Sequence, residues 1–355
     1  MIPEHLDDLV IDGWRAERSL GTGGLAQVLL VRKRTQLAAL KLLRADASPA
    51  SLARFQQEYE LLEELARPGI VGVRGRGEWR GRAYMLMDFI PGRPLRDLIA
   101  FPPQPVPVIA GLTRQLAELL AYAHARGVCH RDVTPANVIV DPRGFVHVLD
   151  FGAAARSSEA SAGRWPTTPA YAPPEWFTQR DADGARADAY ALGVILYELL
   201  TGEFAFPTAR AELQEVERAA LDPGSSFPRA LRETTQRLTQ PSSRERATAG
   251  EAVGLLEALA SAPAPVTLGE TVLGSVPSPA RSPAEDPRQL GRYMVLRRLG
   301  VGGMGVVFLA YDPELRREVA VKVLHARDRS AHEQARLRRE AQAMAQLNHP
   351  NIVGV

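Results

Sequence analysis

Cysteine is almost absent from this chain: Cys129 is the only one in 355 residues. That excludes a disulfide framework and fits a reducing cytoplasm. An excess of one charge is absent too. Forty-three basic residues face 41 acidic ones, a net charge of +2, so a solvated mixed surface is expected rather than a nucleic-acid-binding patch. No apolar run reaches the ~18 residues of a membrane span. The longest candidate, 187–200, carries Asp188 and Glu198 and reads as a buried core helix. The first 12 residues are acidic and lack a basic-then-apolar leader. Lysine is scarce as well: Lys33, Lys41 and Lys322 stand against 40 arginines. A chain that writes its cations as Arg but keeps Lys at a few positions has use for an ammonium there, because the two groups are not interchangeable.

What the chain does contain is an ordinary globular composition, 45% hydrophobic and 24% charged, and a repeat. Leu20-Gly21-Thr22-Gly23-Gly24 recurs as Leu299-Gly300-Val301-Gly302-Gly303. Ala39-Leu40-Lys41 recurs as Ala320-Val321-Lys322, and the 68–73 stretch recurs at 350–355. Between the copies, 261–291 is rich in Pro, Ser and Ala, a composition that buries too little apolar surface to order itself. The chain therefore divides into an extension (1–13), a first unit (14–260), a linker (261–291) and a second, shorter unit (292–355).

In the first unit, 14–20, 28–31 and 37–43 read as strands. Leu52, Phe55, Tyr59, Leu62 and Ala66 step by three and four, as on one helix face, and Ile109, Leu112, Leu116, Leu119 and Ala123 step likewise. A small strand-rich lobe (14–90) precedes a larger helical one (91–260), an α+β arrangement with a cleft between them.

The chemistry-bearing residues fall along this frame. The glycine-rich run 21–26 leads into a strand, which argues against a dinucleotide-binding turn, and no Gly-Lys pair exists for a Walker loop. It reads either as a phosphate-covering hairpin or as a plain β-turn. Lys41 sits in an apolar strand and needs a partner. Glu58, between Phe55 and Leu62 on the apolar helix face, is the natural one, and Glu340 repeats the placement for Lys322. His130-Arg131-Asp132 follows a helix, with Asn137 five residues after Asp132. Two strands flank the type I turn 141–144, so Asn137 and Asp150 meet at the open end of the hairpin. An amide oxygen and a carboxylate there are hard ligands suited to Mg²⁺. Asp132 lies one short loop away, placed to take a proton from an attacking hydroxyl.

In order and spacing, these residues resemble a eukaryotic-type protein kinase of the bacterial serine/threonine class, with its bilobal α+β fold. The matching residues are Gly21 to Val28, Lys41, Glu58, His130-Arg131-Asp132, Asn137, Asp150-Phe151-Gly152, Pro174-Glu175 and Asp188, with Arg244 expected to pair with Glu175. The resemblance implies transfer of the ATP γ-phosphoryl group to protein Ser or Thr hydroxyls. Leu20, Gly21, Thr22, Gly23, Gly24, Leu25, Ala26, Gln27 and Val28 would cover the nucleotide. Lys41, held by Glu58, would bind its phosphates. Met87 would precede the hinge, with the backbone of Asp88 to Ile90 at adenine. Asn137 and Asp150 would hold Mg²⁺, with Mn²⁺ as the alternative metal.

The segment 167–171 resembles the substrate-facing stretch of Ser/Thr kinases. Arg131 suggests phosphate-dependent regulation, with Ser157, Ser158, Ser161 and Thr167 as autophosphorylation sites and self-association as the means. The implied setting is cytoplasmic signalling, with no membrane segment. Three departures stand out: Thr134 where such kinases carry Lys, Ala26 for a glycine, and Pro173 for an alanine. Thr134 supports a pseudokinase scaffold as the first alternative, and a small-molecule phosphotransferase is the second. The second unit resembles only the opening of the same fold and reads as a truncated small lobe.

Overall fold

A computed structural model describes residues 9–22, 25–99, 104–157, 167–178, 183–206, 218–257, 259, 289–290, 293–302, 305–312 and 317–324. They fall into two compact units, 1–269 and 270–355.

The first unit opens with β1 (Val10–Ile11), β2 (Trp14–Thr22), β3 (Ala26–Lys33), β4 (Gln36–Leu43), α1 (Pro49–Glu64), β5 (Val73–Trp79) and β6 (Arg82–Asp88). The strands form one antiparallel sheet in the order β1-β2-β3-β4-β6-β5. Residues 10–11, expected in an extension, belong to this sheet. Asp12 and Gly13 both have positive φ (48° and 81°), the Asp-Gly two-residue turn that suits a hairpin's twist.

That added strand explains why β4 is buried on both faces. Leu40 and Leu42 point outward with Ala38 and lie fully buried under Leu9, Ile11, Trp14 and Ala16. Ala39, Lys41 and Leu43 alternate onto the opposite face, towards α1. Each fully buried leucine contributes about 1.5–3 kcal/mol. The period-two pattern thus aims Lys41 at α1 while its neighbours anchor the strand.

α1 starts at Ser48, whose hydroxyl accepts from Ser51 N at 3.2 Å, with Pro49 in the first turn. Its buried face is Phe55, Glu58, Tyr59, Leu61 and Leu62. The expected stripe shifts at both ends. Leu52 is 38% exposed and Ala66 lies beyond the helix, where Leu65 is buried instead. The helix packs over the sheet only along its middle and end, so its first turn is left to solvent.

The chain continues with β7 (Arg93–Pro94), α2 (Leu95–Ile99), α3 (Val106–His124), β8 (Val128–Cys129), β9 (Val138–Val140), β10 (Val146–Val148) and β11 (Ala155–Arg156). A 3-10 turn (Pro169–Tyr171) and then α4 (Pro174–Phe177), α5 (Gly184–Thr201), α6 (Arg229–Leu238) and α7 (Ala249–Glu257) complete it. All five positions of the 109–123 stripe are buried in α3. α5 is the expected core helix, buried nearly all round between its Asp183 cap and a left-handed Gly202. A Cβ at Gly193 would lie 2.7 Å from Leu238 Cβ, so glycine sets how closely α5 and α6 approach. Among the described residues, no helix is long and apolar enough to cross a membrane.

In the second unit, β12 (Gln289–Leu290), β13 (Tyr293–Gly302), β14 (Gly305–Asp312) and β15 (Arg317–Leu324) form an antiparallel sheet. It reproduces the first four strands of the first sheet, β1 to β4. Lys322 pairs with Val307 as Lys41 pairs with Val28. The irregularities in β13 lie between residues 295/297 and 298/300, as those in β2 lie between 16/18 and 19/21. Residues 289–290, expected in the linker, match β1. Glu340 lies outside the described residues.

Candidate active site

Lys41 joins two carboxylates. Its Nζ lies 2.6 and 2.8 Å from the two carboxylate oxygens of Glu58 and 2.7 Å from Asp150 Oδ1. Burial works against charge on Lys41, but the two carboxylates outweigh it and hold its pKa above the ordinary value. Burial likewise works against the charged form of Asp150, and Lys41 outweighs it, so Asp150 stays below the usual carboxylate range. Glu58, only 3% exposed, is pushed up to about 7 by burial. Gly152 allows this convergence: a Cβ there would sit 3.1 Å from Asp150 Oδ1 and 3.4 Å from Glu58 Oε2.

Asp132 anchors a second cluster. Its Oδ1 accepts from Thr168 N at 2.7 Å and from Thr168 Oγ1 at 2.9 Å, with Thr167 Oγ1 at 3.5 Å. Asn137 Nδ2 donates to Asp132 O at 2.9 Å and lies 3.3 Å from Oδ2. Its amide nitrogen is thus committed to the 132–137 loop, which leaves Oδ1 as the atom available to a ligand.

The β9–β10 hairpin joins the clusters. Val138 pairs with Val148, and Leu149 N donates to Asn137 O at 2.8 Å, so Asn137 and Asp150 stand at its open end as expected. At the closed end, Asp141 Oδ1 accepts from Arg143 N and Phe145 N, both at 2.9 Å, and Gly144 N closes the turn on Asp141 O. The donor set fits a hard divalent cation: one amide oxygen and one carboxylate, both oxygen ligands, with Lys41 held on the other Asp150 oxygen.

Two site residues take a left-handed backbone, Arg131 (φ 65°) and Asp150 (φ 56°), which costs of order 1 kcal/mol or more each. The surroundings over-determine both. Asp188, 2% exposed, accepts from His130 N and Arg131 N, each at 2.7 Å, and from the His124 ring at 2.9 Å. The His130 ring contacts Leu149 O at 2.9 Å and packs on Phe151 with centroids 4.6 Å apart.

The glycine-rich strands sit beside Lys41, because Gly21 pairs with Val28 and Val28 with Lys41 across adjacent strands. Leu20, Gly21 and Thr22 lie on β2, and Ala26, Gln27 and Val28 on β3, with exposed Leu25 just before it. Gly23 and Gly24 lie outside the described residues. Met87 is buried opposite Ala39. Asp88 ends β6 with its carboxylate 2.6 Å from Arg74 Nε, and Ile90 follows it. Thr134 is buried, with its carbonyl accepting from Asn137 N at 3.0 Å. The Ser157 hydroxyl lies 3.4 Å from Cys129 Sγ, while Ser158 and Ser161 lie outside the described residues.

One assignment is corrected. Glu175 pairs with Arg246, not Arg244, through bonds of 2.7 and 3.0 Å. Arg244 is exposed, whereas the Arg246 side chain is fully buried. The two flank Glu245 in a loop without periodicity, so nothing in the sequence separated them. Sequence reasoning also missed Arg218 and Glu198, which meet the 169–172 segment from two sides. Glu198, 1% exposed, accepts from the Tyr171 hydroxyl at 2.9 Å and faces Ala205 N at 3.3 Å.

Burial pushes the Glu198 carboxyl from 4.5 up to about 7, against the pull of those two donors. The folded protein therefore holds the proton that the unfolded chain releases first. Stability from this group is fully present below about pH 4.5 and is lost as pH rises through about 7. The loss is about 3 kcal/mol at most. Glu198→Gln is expected to flatten that part of the pH dependence while its one amide oxygen keeps one of the two acceptor contacts. Thermal melts of the two proteins across this range check it, and an unchanged slope in the variant would refute the assignment.

A family profile described as "Protein kinase domain" matches residues 14–255 and again 293–355. Among curated proteins, the chain is similar to the serine/threonine-protein kinase PknJ of Mycobacterium tuberculosis, 38% identical over 208 residues, 56% of this chain and 35% of that protein. PknF of the same organism is 37% identical over 213 residues, covering 56% and 44%. The probable serine/threonine-protein kinase PknB of Lactococcus lactis is 32% identical over 215 residues, covering 57% and 34%. The chain thus spans between a third and a half of the length of these relatives.

Proposed function

Given that the chain belongs to the protein kinase domain family, we propose that its first unit transfers the γ-phosphoryl group of ATP to Ser or Thr hydroxyls of proteins. The observation that carries this reading is the ammonium of Lys41 held by Glu58 and Asp150, with Asn137 at the same open end of the hairpin as Asp150 and bonded to Asp132. Lys41 binds phosphate oxygens. Asp150 and Asn137 hold Mg²⁺, with Mn²⁺ as a substitute, and the metal supplies charge neutralisation on the phosphates. Asp132 orients the acceptor hydroxyl and takes its proton. The bonds of Thr168 to Asp132 put the 167–171 segment beside that carboxylate, which favours a protein acceptor over a small molecule. Thr134 leaves the cleft one cation short of the family pattern, which is the specific point in favour of a nucleotide-binding scaffold.

The test is phosphorylation of generic protein acceptors by the full chain with ATP and Mg²⁺. Transfer is expected. ATP binding without transfer would favour the scaffold, and transfer only to small hydroxylic molecules would favour the second alternative. Autophosphorylation at Ser157, Ser158, Ser161 or Thr167 is expected to add one or more phosphates in intact-mass spectra, by self-association of two chains. Peptide analysis showing no phosphate between 157 and 167 would remove that regulatory reading.

Residues 293–355 read as the opening of a second unit of the same kind, with Lys322 in the strand position of Lys41. The lone, buried Cys129 supports a reducing, cytoplasmic setting for signalling by this portion of the chain.

A further inference from the structure

Arg218 is 4% exposed, yet no carboxylate among the described residues pairs with it. Its Nη1 donates to Ala172 O at 2.6 Å and its Nη2 to Pro169 O at 2.8 Å. The guanidinium lies 4.2 Å from the Phe206 ring centroid and 4.5 Å from that of Phe177. Its own segment is tied down, because Leu221 N donates to Thr239 Oγ1 on the α6 cap at 2.8 Å. A buried cation with no counter-charge among the described residues is an expensive way to fill a space between two aromatic rings, where an apolar side chain would serve stability as well.

The two carbonyls it holds give the reason for a cation there. They bracket the 3-10 turn Pro169–Tyr171, and the residue immediately before that turn is Thr168. Thr168 is the one that donates both its N–H and its hydroxyl to Asp132 Oδ1. The turn is gripped at both ends of its main chain by one planar fork, which fixes the direction in which Thr168 leaves it. Glu198 holds the Tyr171 side chain of the same turn from the α5 side. Two buried ionisable groups are thus committed to four residues and make no bond to each other.

We propose that Arg218 is a positioning residue for the acceptor. It sets the main-chain path of the 169–172 turn and, through Thr168, the orientation of Asp132, so it governs use of the protein acceptor and not of ATP. This rests on the phosphoryl-transfer reading above. No bond from Arg218 reaches Lys41, Glu58 or Asp150, so nucleotide handling is expected to be independent of it.

The experiment compares the full chain with Arg218→Met, which fills the space between the rings without donors, and Arg218→Lys, which keeps a charge and reaches one carbonyl. Steady-state kinetics are run against ATP and against a protein acceptor. Hydrogen exchange of the 167–173 segment and the melting temperature are read alongside. The expected result for Arg218→Met is a fall of ~10-fold or more in kcat/KM for the acceptor, an unchanged KM for ATP, and faster exchange confined to the 167–173 segment. Arg218→Lys is expected to recover part of the loss.

A purely structural role predicts something else: a lowered melting temperature with both KM values unchanged and kcat falling with the folded fraction. That pattern, or an unchanged acceptor kcat/KM in a folded variant, overturns the proposal. Should Arg218→Met fail to fold, the acceptor-against-ATP split in Arg218→Lys decides the matter by the same criteria. A wild-type chain that binds ATP but phosphorylates no acceptor overturns the transfer reading and this proposal together. Loss of the split in an active enzyme overturns this proposal alone.

Discussion

Asp132→Asn is expected to give a folded, nucleotide-binding protein whose phosphoryl transfer is slower by ~10²–10⁴-fold. The amide keeps an oxygen to accept from Thr168, stays close to the size of the carboxylate and gives up only the 3.3 Å contact with Asn137 Nδ2, so the shorter bonds that shape the loop survive. What it removes is the negative charge and the capacity to take a proton from the acceptor hydroxyl. Lys41, Glu58 and Asp150 do not touch Asp132 and keep their contacts of 2.6 to 2.8 Å, so ATP affinity is expected to hold. Single-turnover transfer to a protein acceptor, with nucleotide affinity measured in parallel, separates the two effects. Transfer at the wild-type rate would show that Asp132 is not the acceptor's base and would remove the central role assigned to it.

Arg246→Leu is expected to destabilise the first unit by ~3–5 kcal/mol, the usual consequence of leaving one partner of a buried pair behind. All five guanidinium N–H groups of Arg246 are used. Nε donates to Gln240 O at 3.0 Å, Nη1 to Glu175 Oε1 at 2.7 Å and Arg186 O at 3.0 Å, and Nη2 to Glu175 Oε2 at 3.0 Å and Pro241 O at 3.3 Å. The Tyr190 ring lies 5.0 Å from the guanidinium. Leucine strands the Glu175 carboxylate and three carbonyls together. A fall in melting temperature of roughly 10 °C follows for a domain of this size. Arg244→Ala, two residues away and exposed, is expected to change stability by no more than ~0.5 kcal/mol. Calorimetry of both variants checks the pair, and equal effects at the two positions would contradict the assignment of Arg246.

Much of the site was legible before any coordinates. Lys41 announced itself by chemical misfit, an ammonium in the apolar run from Ala38 to Leu43, and Glu58 did so on the apolar face of α1. Asn137 and Asp150 could be brought together because a hairpin with a recognisable turn has one open end, whatever the distance along the chain. The strand at 10–11 was not read: the sequence put residues 1–13 in an extension, and the structure pairs Val10 and Ile11 with β2 through the turn at 12–13. Arg246, Glu198 and Arg218 were not readable in the same way. Each lies in a loop or in a helix apolar all round, where periodicity carries no information about which residue turns inward. Their partners are mostly main-chain carbonyls or groups some 30 to 70 residues distant.

By itself, then, the sequence determined the two-lobed plan, the repeat and the candidate residues for phosphate, metal and proton. Those depend on spacing within single strands, helices and turns, and local geometry follows from spacing. The tertiary structure alone decided which buried charges meet. It chose Arg246 over Arg244 and turned Arg218 and Glu198, to which the sequence assigned no role at the site, onto the segment beside Asp132. The physical reason is desolvation: a charge taken out of water must find its partner wherever packing puts one, and packing is not written at any fixed distance along the chain.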